Sequence, residues 1–149
     1  MIWRRGFLVP WLLSAVVMFG LSYVWHGIAL NDLQEIKVPL ELYFSLAGLV
    51  YLIIGMGVTI AVQQALQHQW IDLRKAFPFT SMLVGAIIGF LVYLFVYVFG
   101  MSFTIGNDMM HIAVDVVWQM VEQALGGLMV SLGMIYDMHK RFLEAERAT

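Results

Sequence analysis

Five polar side chains recur along an otherwise apolar stretch that runs from residue 107 to residue 137. They are Asp108, His111, Asp115, Gln119 and Glu122, and we call them the polar stripe. At about 100° per residue, a helix brings all five into an arc of roughly 80°. Ionisable groups in a membrane-spanning helix are costly, and they usually face a bundle interior or a water-filled cavity. The polar stripe is therefore the candidate functional site.

Imidazole and carboxylate groups of the stripe are suitable ligands for a divalent metal. Together with a histidine from the first apolar segment, the candidate ligands are His26, His111, Asp115 and Glu122. Such ligands suit Zn, Mn or Fe, and similar sites occur on facing helices of bundles. His111 and Asp115 form an i, i+4 ligand pair, whereas the Glu-x-x-His spacing of carboxylate-bridged sites is absent. A divalent metal site is one interpretation of the stripe.

Three other interpretations use the same residues. The carboxylates and histidines could form a chain that binds a proton or a cation. His26 and His111 are expected at the same membrane depth, where they could ligate a b-type haem from two helices. Alternatively, the stripe serves packing, with Gln119 and Glu122 bonding across to Tyr93 or Tyr97. Interhelical polar bonds of this kind contribute about 0.6 kcal/mol each.

The composition places the chain in a membrane. It has 149 residues, of which 62% are hydrophobic and 12% charged, and the mean hydropathy is +0.85. These values are typical of an integral membrane protein whose first partner is the lipid bilayer. The net charge of -2 leaves no basic surface for nucleic acid. The lack of cysteine excludes disulfides, thiolate metal sites and iron–sulfur clusters.

Four apolar segments are long enough to cross a hydrocarbon core of about 30 Å. The predicted spans are 7–29, 42–66, 79–99 and 108–137. The first exceeds the apolar region of a signal peptide, so we expect a span there. The short connection before the fourth span makes the third and fourth spans antiparallel neighbours. The sequence thus predicts an all-α integral membrane protein with one domain, 1–149, built as an antiparallel bundle of four transmembrane helices.

Two further helical segments are predicted outside the spans. Asn31 and Gln34 have the spacing of a capping box, which predicts a short interfacial helix that ends at Pro39. Asn107 or Asp108 is expected to cap the fourth helix. Beyond Tyr136 we expect a helical tail in which Lys140 and Glu144 pair at i, i+4.

Small residues recur at helical spacing in two of the spans. Ser81, Gly85 and Gly89 are spaced by four in the third span. In the second span the recurring residues are Gly48, Tyr51, Gly55 and Thr59. Such faces allow a neighbouring helix to approach closely. We expect packing inside the monomer, with a dimer through Gly85 and Gly89 as the alternative.

The orientation follows from the basic residues. In a four-span topology, one side carries Arg4, Arg5, Arg74, Lys75, Lys140, Arg141 and Arg147. Only Lys37 lies on the other side. The positive-inside rule therefore predicts that both termini are cytoplasmic, most simply in a bacterial inner membrane.

These features predict a pocket that opens to the outer side and is lined by polar residues. Its predicted lining is His26, Tyr93, Tyr97, His111, Asp115, Gln119 and Glu122. The expected function is non-enzymatic binding of a proton, a cation or a small polar ligand, with a role in transport or sensing. The alternatives are an accessory subunit of a larger membrane complex or homo-oligomer, and a bis-histidine haem protein for electron transfer. A pocket requires the stripe to face the other three helices, whereas an accessory subunit could present it to a partner.

Overall fold

The computed structural model describes residues 5–34, 37–101 and 109–148, and this part of the chain forms helices and short connections without a strand. The four long helices are α1 (Arg5–Tyr23), α2 (Leu40–Gln67), α3 (Phe77–Val96) and α4 (Met109–Arg147). Two π turns, Val24–Ala29 and Tyr97–Met101, extend α1 and α3, and Asp32–Gln34 forms a 3-10 helix. We call the end of the bundle where α1 begins the inner end, and the end where α4 begins the outer end.

Three of the helical segments are long and apolar enough to cross a membrane. They are Gly6–Ala29, Leu40–Gln67 and Phe77–Phe99. At 1.5 Å per residue each exceeds the hydrocarbon thickness of about 30 Å. These helices support the prediction of an integral membrane protein, and their bounds coincide with three of the predicted spans. The fourth predicted span, 108–137, lies in α4, a helix of 39 residues that carries more polar side chains.

The polar and apolar side chains are distributed as in a protein surrounded by lipid. Large apolar residues of α3, including Phe79, Ile87 and Phe95, are exposed on the outside of the bundle. Small or polar side chains are buried inside it, among them Ser14, Ser22, Thr59, Ser81 and Ser131. Lipid solvates the apolar exterior, so helix association depends on close packing and interhelical polar contacts.

Helix α4 lies at the centre of the arrangement and contacts α1, α2 and α3. Against α1, Gly133 meets Pro10 and Gly126 meets Met18. Residue numbers that increase along α1 thus meet residue numbers that decrease along α4, so the two helices are antiparallel. These two glycines continue the face of the polar stripe, and that face is turned toward α1 from Gly126 to Gly133.

The contact between α3 and α4 is the closest of the helix pairs. A Cβ atom on Gly85 would collide with the carbonyl oxygen of Gln123, and one on Gly127 with that of Ser81. A Cβ atom on Gly89 would come within 2.6 Å of the Gln119 carbonyl oxygen. A step of four residues along α3 therefore corresponds to a step of four back along α4. The predicted close-packing face of Ser81, Gly85 and Gly89 is confirmed, and it is used inside the monomer.

Helix α2 packs against α1 through fewer close contacts. A Cβ atom on Gly55 would lie 3.0 Å from the Cβ of Ala15, and Trp11 Nε1 donates to the Leu52 carbonyl at 2.7 Å. The buried Thr59 hydroxyl donates to the Gly55 carbonyl at 2.8 Å. In contrast, a Cβ atom on Gly48 would meet nothing within 4 Å. The prediction of a close-packing face on α2 is thus confirmed at Gly55 and wrong at Gly48.

The first connection differs from the predicted interfacial helix. The first π turn ends at Ala29, and Asn31, two residues later, has φ 58, a left-handed conformation that differs from the extended backbone of an N-cap residue. Asn31 is followed by a 3-10 helix of three residues, Asp32–Gln34. Residues 35–36 come next and are not among the described residues. Pro39 occupies the N-cap position of α2, so it precedes a helix instead of ending one.

The predicted helical tail is present. Helix α4 continues to Arg147, and Lys140 Nζ lies 4.0 Å from Glu144 Oε1, as the i, i+4 spacing predicts. A second pair, Asp137 with Arg141 at 2.8 Å, was not predicted. The predicted caps at Asn107 and Asp108 lie outside the described residues.

Replacing Gly127 with alanine should weaken the α3–α4 contact. The new Cβ would meet the Ser81 carbonyl, which is backbone and cannot move without shifting α3. We expect the free energy of unfolding to fall by about 1–3 kcal/mol, as for other overpacked sites, in a denaturant titration in mixed micelles. The matched control is Gly57→Ala, since nothing lies within 4 Å of that position. Equal midpoints for the two variants would contradict the packing described for α3 and α4.

Candidate functional site

The polar stripe divides along α4 into an exposed part and a buried part. Asp115 is exposed, Gln119 is half-buried and Glu122 is 1% exposed. The length of α1 explains why the outer part of the stripe is exposed. Trp25 stacks on Trp118, and α1 itself ends at Tyr23, within one turn of this stack. Asp115 therefore lies beside the end of α1, whereas Glu122 lies about 10 Å deeper along the helix. Asp108 and the side chain of His111 lie outside the described part of the chain.

The buried carboxyl of Glu122 lies where α1, α2 and α4 meet. Its polar neighbours are the Tyr51 phenol of α2, with Trp118 and Gln119 one turn away on α4. Tyr51 also reaches the hydroxyl of Ser22 on α1. We call these five residues the Glu122 cluster. Three helices thus converge on one carboxyl.

Glu122 is buried among polar groups that carry no positive charge in the described part of the chain. No lysine or arginine of the described residues is among the groups that interact with its carboxyl. Its Oε1 atom also has no hydrogen-bond partner within the described part of the chain. A buried charge that lacks a counter-charge is strongly unfavourable. The site is therefore suited to a carboxyl that exchanges its charge for a bound proton or ligand.

Gln123 is a buried polar residue that the sequence interpretation missed. Its side chain is 0% exposed, and neither amide atom has a hydrogen-bond partner in the described residues. It lies on the α3 side of α4, where a Cβ on Gly89 would come within 2.8 Å of its Cγ. Because it lies about 100° away from Glu122 around the helix, it falls outside the arc that defined the stripe. The signal that could have identified Gln123 is its position on the face of α4 that meets the small residues of α3.

Trp118, the outermost α4 residue of the Glu122 cluster, stacks on Trp25 of the first π turn. The rings of Trp25 and Trp118 stack with centroids 4.2 Å apart and planes 11° apart. Trp25 belongs to the first π turn, in which the Leu30 amide donates to the Trp25 carbonyl at 2.8 Å. The Trp25 side chain is half-buried against α4. Single π turns in helices are often found at functional sites.

His26 lies on the α2 side of the first π turn. With Ser22 and Tyr43 it lines a cavity of about 10 Å³, which is near the minimum volume for one water molecule. Ser22 belongs to this cavity and is also a neighbour of Tyr51. A series of polar groups thus leads from Glu122 through Tyr51 and Ser22 to His26.

Tyr93 and Tyr97 lie apart from this series, at the outer end of α3. Their rings stack with centroids 6.2 Å apart, and Asp115 is close enough for its charge to act on Tyr93. The structure therefore gathers the predicted pocket residues into two groups. Glu122, Gln119 and His26 belong to the polar series inside the bundle, whereas Tyr93, Tyr97 and Asp115 form a group on the α3–α4 side.

The metal and haem interpretations both depend on His111. Among the described residues, no three His, Asp or Glu side chains cluster as a metal site would require. The side chain of His111 lies outside that set, so its part in a metal or haem site stays a prediction.

The division of the polar residues can be tested by cysteine labelling, because the chain has no cysteine of its own. In folded protein in detergent, we expect Asp115→Cys to react with a maleimide on the order of a hundredfold faster than Gln123→Cys, which must wait for local opening. After unfolding, both should react alike. Equal rates in the folded protein would contradict the burial described for α4.

Comparison of the chain with protein-family models, with curated proteins and with solved structures finds no match.

Proposed function

We propose that this chain is a four-span membrane protein in which the Glu122 carboxyl binds and releases a proton that reaches it from the outer end. The observation that carries the proposal is a carboxyl 1% exposed in an apolar bundle. No described basic residue balances its charge. Ionisable groups in this setting commonly serve proton or ion binding.

The packing of α4 supports its assignment as the fourth span. It contacts α1 from the Trp118–Trp25 stack at one end to the Arg141–Gly6 contact at the other. At 1.5 Å per residue this shared length is about 35 Å, which matches a bilayer core. The buried positions of Glu122 and Gln123 keep these two polar groups away from lipid. In this topology both termini lie on the side that carries most of the basic residues, the cytoplasmic side of a bacterial inner membrane.

A proton suits the Glu122 cluster better than a metal ion or another cation. Hard cations such as Ca²⁺ and Mg²⁺ take six or more oxygen ligands. The cluster supplies one carboxyl, the carboxamide of Gln119 and the hydroxyls of Tyr51 and Ser22, which is fewer than six oxygen ligands. Each hydroxyl can both donate and accept a hydrogen bond. A proton requires a single carboxyl and a series of such groups for access.

Access from one side favours sensing over transport. On the outer side, the series of Tyr51, Ser22 and His26 approaches the end of α1. On the inner side, the fully buried Met18, Val58 and Val130 separate the cluster from the inner end. The buried polar groups among them include the single hydroxyls of Ser14, Thr59 and Ser131, and the last two donate within their own helices. Protonation of Glu122 would then change the packing of three helices without carrying a proton across the membrane.

A second candidate function is that of an accessory subunit. Asp115 is an exposed ionisable residue next to Tyr93 and Tyr97, and in the four-span topology it lies near the outer part of the bilayer. A partner helix with a polar or basic residue could cover this group. Under this alternative, Asp115→Asn should lose a co-purifying membrane protein that Glu122→Gln retains.

The proton-binding proposal is tested by infrared difference spectroscopy of the purified protein during a pH titration. A titrating buried carboxyl gives a carbonyl band of its protonated form, and we expect Glu122→Gln to remove one such band. The matched control Asp115→Asn removes a carboxyl of the same helix that is exposed and should leave this band in place. A spectrum that is the same for wild type and Glu122→Gln would disprove proton exchange at Glu122. Bound metal on elemental analysis or a Soret band would favour the metal or haem interpretation instead.

The four-span topology is tested by labelling single cysteines in intact cells with a maleimide that cannot cross membranes. We expect Val38→Cys, in the first connection, to be labelled from outside, because this residue is exposed. Glu144→Cys, on the exposed tail of α4, should be labelled only after the membrane is permeabilised. Labelling of both sites from outside would mean that three helices cross the membrane and α4 does not.

A further inference from the structure

A cavity of about 590 Å³ lies at the inner end of the bundle, away from the Glu122 cluster. It is an open cavity lined by the beginning of α1, the last turns of α2, the following connection and the distal half of α4. We call it the inner-end cavity. Its position coincides with the inner limits of two candidate spans, which begin at Gly6 and end at Gln67. It therefore lies at the depth where hydrocarbon gives way to headgroups.

The lining of the inner-end cavity has a polar half and an apolar half. The polar half consists of Gln63, Gln64 and Gln67 of α2, with Asp137 and Arg141 of α4. Apolar side chains, including Phe7, Leu66 and Met134, form the other half. This division matches a molecule with a polar head and an apolar body, whereas a small soluble ion would leave the apolar half without a partner.

Arg141 provides the positive charge of the polar half. One guanidinium nitrogen, Nη2, pairs with Asp137 Oδ2 at 2.8 Å, and 55% of the Arg141 side chain is exposed. A guanidinium has five N–H donors, so several remain for an anionic ligand, and its planar fork fits two phosphate oxygens. The Asp137 side chain is only 17% exposed and fixes the position of this guanidinium.

Gly6 allows the ion pair to lie directly against α1. A Cβ atom at Gly6 would lie 2.8 Å from Asp137 Oδ2 and 2.9 Å from Arg141 Nη2. The pair therefore forms a fixed wall of the cavity, built from α1 and α4 together.

The charge of this end favours an anionic occupant. In the four-span topology, the inner side carries seven basic and four acidic residues, whereas the outer connections carry one basic and four acidic residues. In the lining itself Arg141 is balanced by Asp137, so the excess positive charge comes from the other basic residues of this end. Clusters of basic residues on the cytoplasmic side of membrane helices are suited to anionic lipid headgroups. We propose that the inner-end cavity binds an anionic phospholipid, with its phosphate on Arg141, its ester oxygens near the glutamine carboxamides and its acyl chains along the apolar half.

The test uses full-length protein freed of lipid in detergent, with phosphatidylglycerol or zwitterionic phosphatidylcholine added back. Binding is read by native mass spectrometry and by the thermal unfolding temperature. We expect phosphatidylglycerol to remain bound to the wild type and to raise its unfolding temperature, and phosphatidylcholine to do neither. An equal effect of the two lipids would overturn the proposal.

Variants then locate the binding site. The double variant Asp137→Asn, Arg141→Gln removes the guanidinium without leaving Asp137 unpaired, and Gln63→Leu removes one carboxamide without changing the charge. We expect each to weaken phosphatidylglycerol binding, the double variant by on the order of tenfold or more. The matched control Lys140→Gln removes a basic residue adjacent in sequence but outside the cavity lining, and it should bind as the wild type does.

Two results would contradict the proposal. Equal losses in Lys140→Gln and in the double variant would show that phosphatidylglycerol responds to overall charge and not to the cavity. Inorganic phosphate that raises the unfolding temperature as much as phosphatidylglycerol does, with the same dependence on the variants, would identify a phosphate site in place of a lipid site.

Discussion

The close approach of α3 and α4 is the constraint on which the rest of this structure depends. Along that contact, glycines of each helix face backbone carbonyls of the other, at Gly85 with Gln123 and at Gly127 with Ser81. In lipid there is no hydrophobic gain from bringing two apolar helices together, so association depends on such contacts and on weak Cα–H···O bonds. This contact fixes the rotation of α4 and therefore decides which of its polar side chains enter the bundle.

The rotation of α4 about its axis points its two adjacent buried polar residues toward different helices. It directs Gln123 toward α3 and Glu122 toward α1 and α2. Neither side chain faces lipid, and each is nearly or fully buried. A polar atom buried without a partner is unfavourable, so the bundle keeps the Glu122 carboxyl in an environment that makes its charge state matter to three helices. The proposed proton site follows from this arrangement, as does the expected link between protonation and packing.

Much of the fold could be predicted from the sequence, because membrane spans and packing faces have simple periodicities. The spacing of Ser81, Gly85 and Gly89 identified the face of α3 that meets α4, and the three most apolar spans were found within a few residues of their ends. Predictions based on short local motifs were less accurate. Asn31 and Gln34 fit a capping box, but Asn31 has a left-handed backbone and only a three-residue 3-10 helix follows it.

The site could be predicted only in part, since helical periodicity gives the face of a helix but not its neighbours. It identified Glu122, but it could not show that α1 ends near Trp25, which leaves Asp115 exposed, or that Tyr51 would be the neighbour in place of Tyr93. Gln123 was missed because one residue changes the direction of a side chain by about 100°. These features depend on which helices pack together, and that information lies in tertiary contacts.

The four-residue register between α3 and α4 also affects which helices can move relative to one another. A slip of one residue along this contact would drive side chains into backbone carbonyls, so the two helices can move only as a rigid unit or by a full turn of about 5.4 Å. Helix α1 meets α4 partly through Met18, a side chain that adapts its shape easily. Any motion that begins at Glu122 should therefore displace α1 and α2 against a stationary α3–α4 pair. The proton site would then be coupled to the position of α1 and α2, while α3 and α4 keep their places relative to each other.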